Sequence, residues 1–245
     1  MLKSIGRATL TAAVLVTGPA ALAADNDIAL SSSLSQGRFN TLVDELGVAT
    51  AYAPFSPAET LGVTGFELGA SLTMVKIDDA VWDEALSDSD APSLLPVPRL
   101  MARKGLPFGF DIGASYISVP GSNVTVVGGE LRKALIEGTT AVPAVSVLGH
   151  YSNMSGVDDL DLSSYGVDLG ISKGFAMFTP YGGIGQVWYE GTEHSANLSL
   201  SSHDSSETRG YLGMRVGFLP FMNLTAQADF TSAVNSYTLR LNLGF

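Results

Sequence analysis

The sequence predicts an all-β fold, an antiparallel up-and-down transmembrane β-barrel of about ten strands (alternative twelve), preceded by a short N-terminal helical plug or cap. Three observations predict it. The last nine residues place Tyr237, Leu239, Leu241, Leu243 and Phe245 at every second position, with Thr238, Arg240, Asn242 and Gly244 between them. Side chains alternate faces along a strand, so one face is apolar and the other polar, which suits a wall between lipid and a wet interior. Five earlier segments repeat the pattern, with apolar faces beginning at Phe66, Phe108, Tyr165, Leu212 and Leu224. Finally, mean hydropathy is positive at +0.26, yet after the first residues no run of about 18 apolar residues could make a membrane helix. Apolar content without a long apolar run is what alternating strands give.

Taken in chain order, residues 1–24 read as a secretory signal. Lys3 and Arg7 precede an apolar stretch over 9–16, a Gly18-Pro19 break, and Ala21-Leu22-Ala23-Ala24 ahead of Asp25. No Cys follows, which excludes a lipoprotein anchor, and a chain without cysteine has neither disulfides nor thiolate chemistry. Residues 25–60 form a plug or cap segment. Phe39, Leu42, Val43 and Leu46 have the spacing of a one-sided helix, and 48–53 reads as a short extended piece ended by Pro54 and Pro57. A plug entering the lumen from the periplasm, a cap at the barrel mouth, and a further strand pair all fit this segment.

Residues 61–245 form the barrel. Weaker strands are expected at 95–104, 123–135, 141–153 and 176–190, the first made insecure by Pro96 and Pro98. Counting back from Phe245 as a periplasmic end puts the connections 77–94, 119–123, 153–160, 191–206 and 232–235 outside the cell. Tight turns at 104–106, 137–140, 173–174 and 219–221 fall on the periplasmic side.

The same phasing yields a lumen inventory. Glu67, Asp111, Glu130, Asp168 and Asp229 point inward, as do Arg99, Arg103, Arg132, Arg209, Arg215 and Arg240. Charges facing lipid would be costly, so inward is the allowed side. In a lumen this narrow they either fill the barrel as a charge network or line a narrow, gated pore. The remaining acids crowd the loops, with Asp78, Asp79, Asp83, Glu84, Asp88 and Asp90 in one and Asp158, Asp159 and Asp161 in another. Their spacing matches no EF-hand, and solvated loops account for them. Trp82, Trp188, Tyr116, Tyr151, Tyr189 and Phe218 fall near strand ends, where aromatic girdles sit. Removing Lys3 and Arg7 leaves 11 bases against 24 acids, a formal charge of −13, which argues against nucleic acid as a partner.

One string bears on enzymatic chemistry. His150-Tyr151-Ser152-Asn153 resembles the His-x-Ser-Asn segment of outer-membrane lipid A deacylases, with Asp161 or Asp168 as the acid that would orient the histidine. About ninety residues follow it, the Asn-x-Gly segment is absent, and its phase turns His150 to the lumen. Gly182-Gly183-Ile184-Gly185 lacks the lysine and strand–helix setting of a phosphate loop. His194 and His203 share a Ser-rich loop but make a poor metal site without cysteine. No cofactor and no metal are expected.

The wider resemblances concern location. A terminal strand ending on Phe resembles the closing strand of Gram-negative outer-membrane barrels, which implies that Tyr237, Leu239, Leu241, Leu243 and Phe245 are read by the barrel-assembly machinery. The strings Pro57-Ala-Glu-Thr-Leu-Gly-Val-Thr-Gly-Phe66, Lys104-Gly-Leu-Pro-Phe-Gly109 and Ser172-Lys-Gly-Phe-Ala-Met-Phe-Thr-Pro-Tyr-Gly182 resemble uncharacterised proteobacterial outer-membrane barrel proteins. That likeness implies export through the periplasm to the cell outer membrane, with outer-membrane lipid and lipopolysaccharide as surroundings. It implies no activity. The expected function is a non-enzymatic, porin-like barrel, either a narrow or gated channel for small solutes or ions or a closed structural or surface-interaction barrel. A hydrolase using His150 and Ser152 is the remaining alternative.

Overall fold

The computed structural model describes residues 30–85, 93–119, 122–195 and 198–244. The expected signal over 1–24 and the terminal Phe245 lie outside them. The described residues form two α-helices and ten strands: α1 (Gln36–Thr50), β1 (Phe66–Lys76), a short α2 (Asp79–Ala85), β2 (Leu94–Leu106), β3 (Phe110–Ser118), β4 (Thr125–Ile136), β5 (Ala144–Ser155), β6 (Leu160–Ser172), β7 (Phe178–Glu193), β8 (His203–Leu219), β9 (Met222–Phe230) and β10 (Asn235–Gly244). Every strand pairs antiparallel with its sequence neighbour, and β1 closes on β10 with Leu72 opposite Leu239. The result is a closed ten-stranded barrel. The twelve-strand alternative does not arise, because the residues ahead of β1 form a helix and an extended crossing instead of a strand pair.

Alternation sorts the wall. Leu72, Leu100, Ile112, Leu131, Leu169 and Leu239 are about half exposed on the outside, while Ser71, Arg99, Asp111, Arg132, Asp168 and Thr238 are buried inside. Pro96 and Pro98 are accommodated in β2 because the β2–β3 ladder begins only at Arg99, leaving that stretch an edge on one side. The long connections 77–93 and 194–202 share one end of the barrel. The other connections are more even than expected: 156–159 is a tight turn at that end, whereas 137–143 is a seven-residue excursion at the opposite, turn end, where Pro143 delays β5.

Residues 39, 42, 43 and 46 form the expected helical stripe, and Phe39, Leu42, Val43 and Leu46 are each at most 3% exposed. The Ser35 hydroxyl caps α1 by accepting from the Arg38 amide. The helix continues through Val48 and Thr50, which the sequence suggested were extended. Ala49 and Thr50 prolong the buried stripe by one turn, and the Thr50 hydroxyl donates back to the Leu46 carbonyl at 2.7 Å.

The helix sits in the mouth at the long-connection end, against α2, β6, β7 and β8. From Ala51 the chain then runs down the lumen to the turn end. There the Leu61 amide donates to Asp111 Oδ1 at 3.0 Å and Lys104 donates to the Gly65 carbonyl at 3.0 Å before β1 begins. Instead of a helix entering from the turn end, the protein carries its helix at the far mouth and an extended crossing behind it. Two aromatics expected in outer girdles serve this arrangement. Trp82 Nε1 donates to Glu45 Oε2 at 2.6 Å, and Tyr189, on the inward parity of β7, donates to Asp44 Oδ1 at 3.1 Å.

Candidate functional site: the plugged lumen

The plug is held in two ways. At the mouth its apolar stripe joins Val75, Ile77, Val97, Ile117, Leu162 and Val187 in one continuous buried cluster. Two glycines let it approach: a Cβ at Gly47 of α1 would lie 2.6 Å from the Tyr189 ring, and one at Gly191 of β7 would lie 2.6 Å from Val43. At the rim, Asp44 also meets His203 at 2.9 Å, and Asp78 gives its amide to Glu45 at 3.0 Å. Burial raises the pKa of Glu45, partly opposed by its bonds from Trp82 and the Asp78 amide.

Below the helix the chemistry changes. Pro54 and Pro57 keep 51–58 out of helix and remove two amide donors. The Ala53 and Pro54 carbonyls accept from the Phe55 and Ser56 amides at 2.9 and 2.7 Å, and the Ala51, Tyr52, Phe55 and Pro57 carbonyls face the wall. Arginines take them in turn. Arg99 donates to the Ala51 carbonyl at 2.8 Å, Arg209 to Tyr52 at 3.0 Å, and Arg240 to Phe55 at 3.0 Å. Arg132 donates to the Pro57 carbonyl and to the Ser56 hydroxyl at 2.9 Å, and Arg103 donates to the same hydroxyl at 2.8 Å. Ser172 accepts from the Ala58 amide at 3.0 Å. The Arg99 guanidinium also lies over the Phe55 ring at 5.4 Å.

The eleven charges predicted to face inward do so, and all except the partly exposed Arg215 are buried. Two clusters and two isolated guanidinium groups result. Glu67 pairs with Arg240 at 2.8 Å and Arg215 at 2.9 Å, and lies 3.5 Å from Arg103. Arg103 also meets Asp111 at 2.7 Å and Glu130 at 2.8 Å. Farther round, Arg209 pairs with Asp168 at 2.7 Å, and His150 Nε2 meets the same carboxylate at 3.2 Å. Asp229 takes its nearest bonds from the Gln227 amide, at 2.9 and 3.0 Å. Arg99 and Arg132 make no ion pair among the described residues. Small wall positions admit these groups, as where a Cβ at Gly185 would meet Asp168 Oδ1.

The network is thus a clamp on the N-terminal crossing as well as a charge ladder. Sequence reasoning missed the clamped partner, Ala51 to Ala58, because its contribution is main-chain oxygen. The available signal was Pro54 and Pro57 in a segment between an apolar helix and the first strand.

His150 and Ser152 both face the lumen and are 6% and 2% exposed. The imidazole directs Nε2 to Asp168 and Arg209, while its Nδ1 and the Ser152 hydroxyl have no hydrogen-bond partner among the described residues. His194 meets Asp161 at 2.9 Å, and His203 meets Asp44, so the two loop histidines are held by different carboxylates. Tyr237, Leu239, Leu241 and Leu243 of the predicted assembly signal line the outside of β10.

No protein-family model and no curated protein matches the chain. Among solved structures it is similar to an outer membrane channel from Pseudomonas putida F1, with 13% identity over 79% of this chain and 100% of that one and a TM-score of 0.47. It is also similar to Ail, the attachment invasion locus protein of Yersinia pestis, with 14% identity, 74% and 97% coverage and a TM-score of 0.35. A third is the KdgM porin in complex with disordered oligogalacturonate, with 9% identity, 73% and 99% coverage and a TM-score of 0.39.

Proposed function

We propose that this is a non-enzymatic outer-membrane barrel whose lumen is a narrow passage for small solutes or ions, shut by the protein's own N-terminal segment. The membrane setting is supported by the exterior. Apolar side chains at successive outward positions of the strands, among them Leu72, Leu100, Ile112, Leu131, Leu169, Leu212 and Leu239, form a band around the closed ring far beyond the few hundred Å² that a water-soluble surface carries. The observation that carries the passage reading is the crossing itself. Residues 51–58 fill the lumen without joining the sheet, and side chains of an otherwise complete wall hold them through carbonyl oxygens.

The apolar seal around α1 favours a second reading, a permanently closed barrel of structural or surface-interaction type. Planar-bilayer recording separates the two. The full chain is compared with Leu42→Asp/Val43→Asp, which places carboxylates in the seal while leaving every barrel strand intact. Discrete openings in the variant, with a closed or briefly opening parent, are expected for a plugged passage. A folded variant that stays silent supports the closed barrel. The hydrolase reading lacks its central contact: His150 already gives Nε2 to Asp168, and Ser152 lies behind the plug, away from lipid.

A further inference from the structure

Four lumen arginines are neutralised and two are not. Arg103, Arg209, Arg215 and Arg240 each have a carboxylate at 2.7–2.9 Å. Arg99 and Arg132, 3% and 2% exposed, are anchored only on neutral acceptors of the plug: the Ala51 carbonyl for one, the Pro57 carbonyl and Ser56 hydroxyl for the other. Among the described residues, Arg99 Nε and Nη1 and Arg132 Nε have no hydrogen-bond partner. A buried guanidinium calls for an anionic oxygen, and its planar fork suits a carboxylate, phosphate or sulfate.

We infer that Arg99 and Arg132 are oxyanion-binding groups of the lumen, and that the Ala51 and Pro57 carbonyls occupy in the closed state the positions of a solute's oxygens. The inference rests on the reading of the lumen as a plugged passage and names its solute class: small oxyanions. Ala51 and Pro57 are six residues apart in an extended stretch, so the two groups serve points up to about 20 Å apart along the axis. Apart from Asp229, which is held by the neutral Gln227 amide, the other lumen charges are mutually paired, so the anion meets attraction at two stations without a continuous basic surface. The strand wall separates both arginines from membrane phosphates, so the anion comes from solution. Competition follows directly, since an oxyanion and the plug need the same donors.

The test uses the full chain with the mouth opened in two independent ways: by Leu42→Asp/Val43→Asp, and from the wall side by Gly191→Leu, whose side chain would collide with Val43. Circular dichroism establishes that each form keeps its strands. Reversal potential in a potassium chloride gradient gives the charge preference, and labelled sulfate gives binding. The expected result is an anion-preferring pore that binds sulfate, displaced by inorganic phosphate. Arg99→Gln/Arg132→Gln then brings the preference towards unity and weakens sulfate binding by about tenfold or more. Each single Gln variant serves if the pair fails to fold. A pore that prefers potassium, or sulfate binding unchanged in the Gln variants, overturns the inference and leaves the passage standing. Silent bilayers with arginine-dependent sulfate binding would overturn the passage and leave the oxyanion site.

Discussion

The N-terminal segment is one continuous piece of chain held by two opposite kinds of chemistry. From Phe39 to Leu46 it is a helix that inserts apolar side chains into an apolar mouth. From Ala51 to Ala58 it is an extended strip that offers backbone oxygens to guanidinium groups. The first kind of contact is non-directional and proportional to the area it removes from water. The second is directional and depends on every donor finding an acceptor, because a buried unpaired group is costly. The mouth therefore holds the segment by area, and the lumen holds it by direction.

The sharpest way to break this contrast is to charge the mouth. Leu42→Asp should weaken plug docking by about 5 kcal/mol, through lost packing and a buried carboxylate. Limited proteolysis within 36–60 should then accelerate sharply while the barrel's unfolding in denaturant hardly moves. If barrel stability fell equally, the plug would be part of the wall's own core and the contrast would fail.

Arg209→Leu strikes the other region. It removes the Tyr52 carbonyl bond and strands Asp168, for a loss of about 3–5 kcal/mol. Adding Asp168→Asn should recover most of it in the double variant. No recovery would mean that the carbonyl bond, not the ion pair, carries the effect.

Acidity offers a gentler probe of the mouth. Burial raises the pKa of Glu45, so charging it in the docked helix is unfavourable, with the like charges of Asp78 and Asp44 adding to that cost. The penalty is absent below the ordinary carboxylate value of 4.5, appears as pH rises through it, and is complete above the raised value. Plug proteolysis should accordingly quicken between acidic and neutral pH, with Glu45→Gln flattening that dependence. A slope that survives in Glu45→Gln would show that Glu45 is not its source.

The smallest effect is expected at Ser152→Ala. Its hydroxyl is buried without a partner, so removal should change stability by less than about 1 kcal/mol and leave conductance unaltered. Loss of an acyl-hydrolysing activity in this variant would restore the enzymatic reading.

Much of the wall was legible because its two faces have different solvents. Period-two alternation in Leu68 to Met74 or Tyr165 to Ile171 leaves one parity for charge, and Arg132 or Asp168 had nowhere else to point. The helix was legible from Phe39, Leu42, Val43 and Leu46 for the same reason. Its location was not, because an apolar stripe says that it is covered without saying by which mouth. Trp82 and Tyr189 were misplaced on that account, since an aromatic near a strand end suits a girdle and a plug contact equally. The clamp was hidden more deeply, because its acceptors are carbonyls that every residue carries.

The crossing also dictates an order of assembly. The last strand grips the segment across 185 residues of sequence, through Arg240 and Phe55, and β8 does so across 157, through Arg209 and Tyr52. Contacts this remote form late, since the chain must first give up its freedom to bring them together. An α-helix with its side chains is about 10–12 Å wide, too broad to be drawn end to end through a finished lumen crowded with arginines. Threading a closed barrel would thus require α1 to unfold first, whereas closing the β1–β10 seam around a segment already lying inside would not.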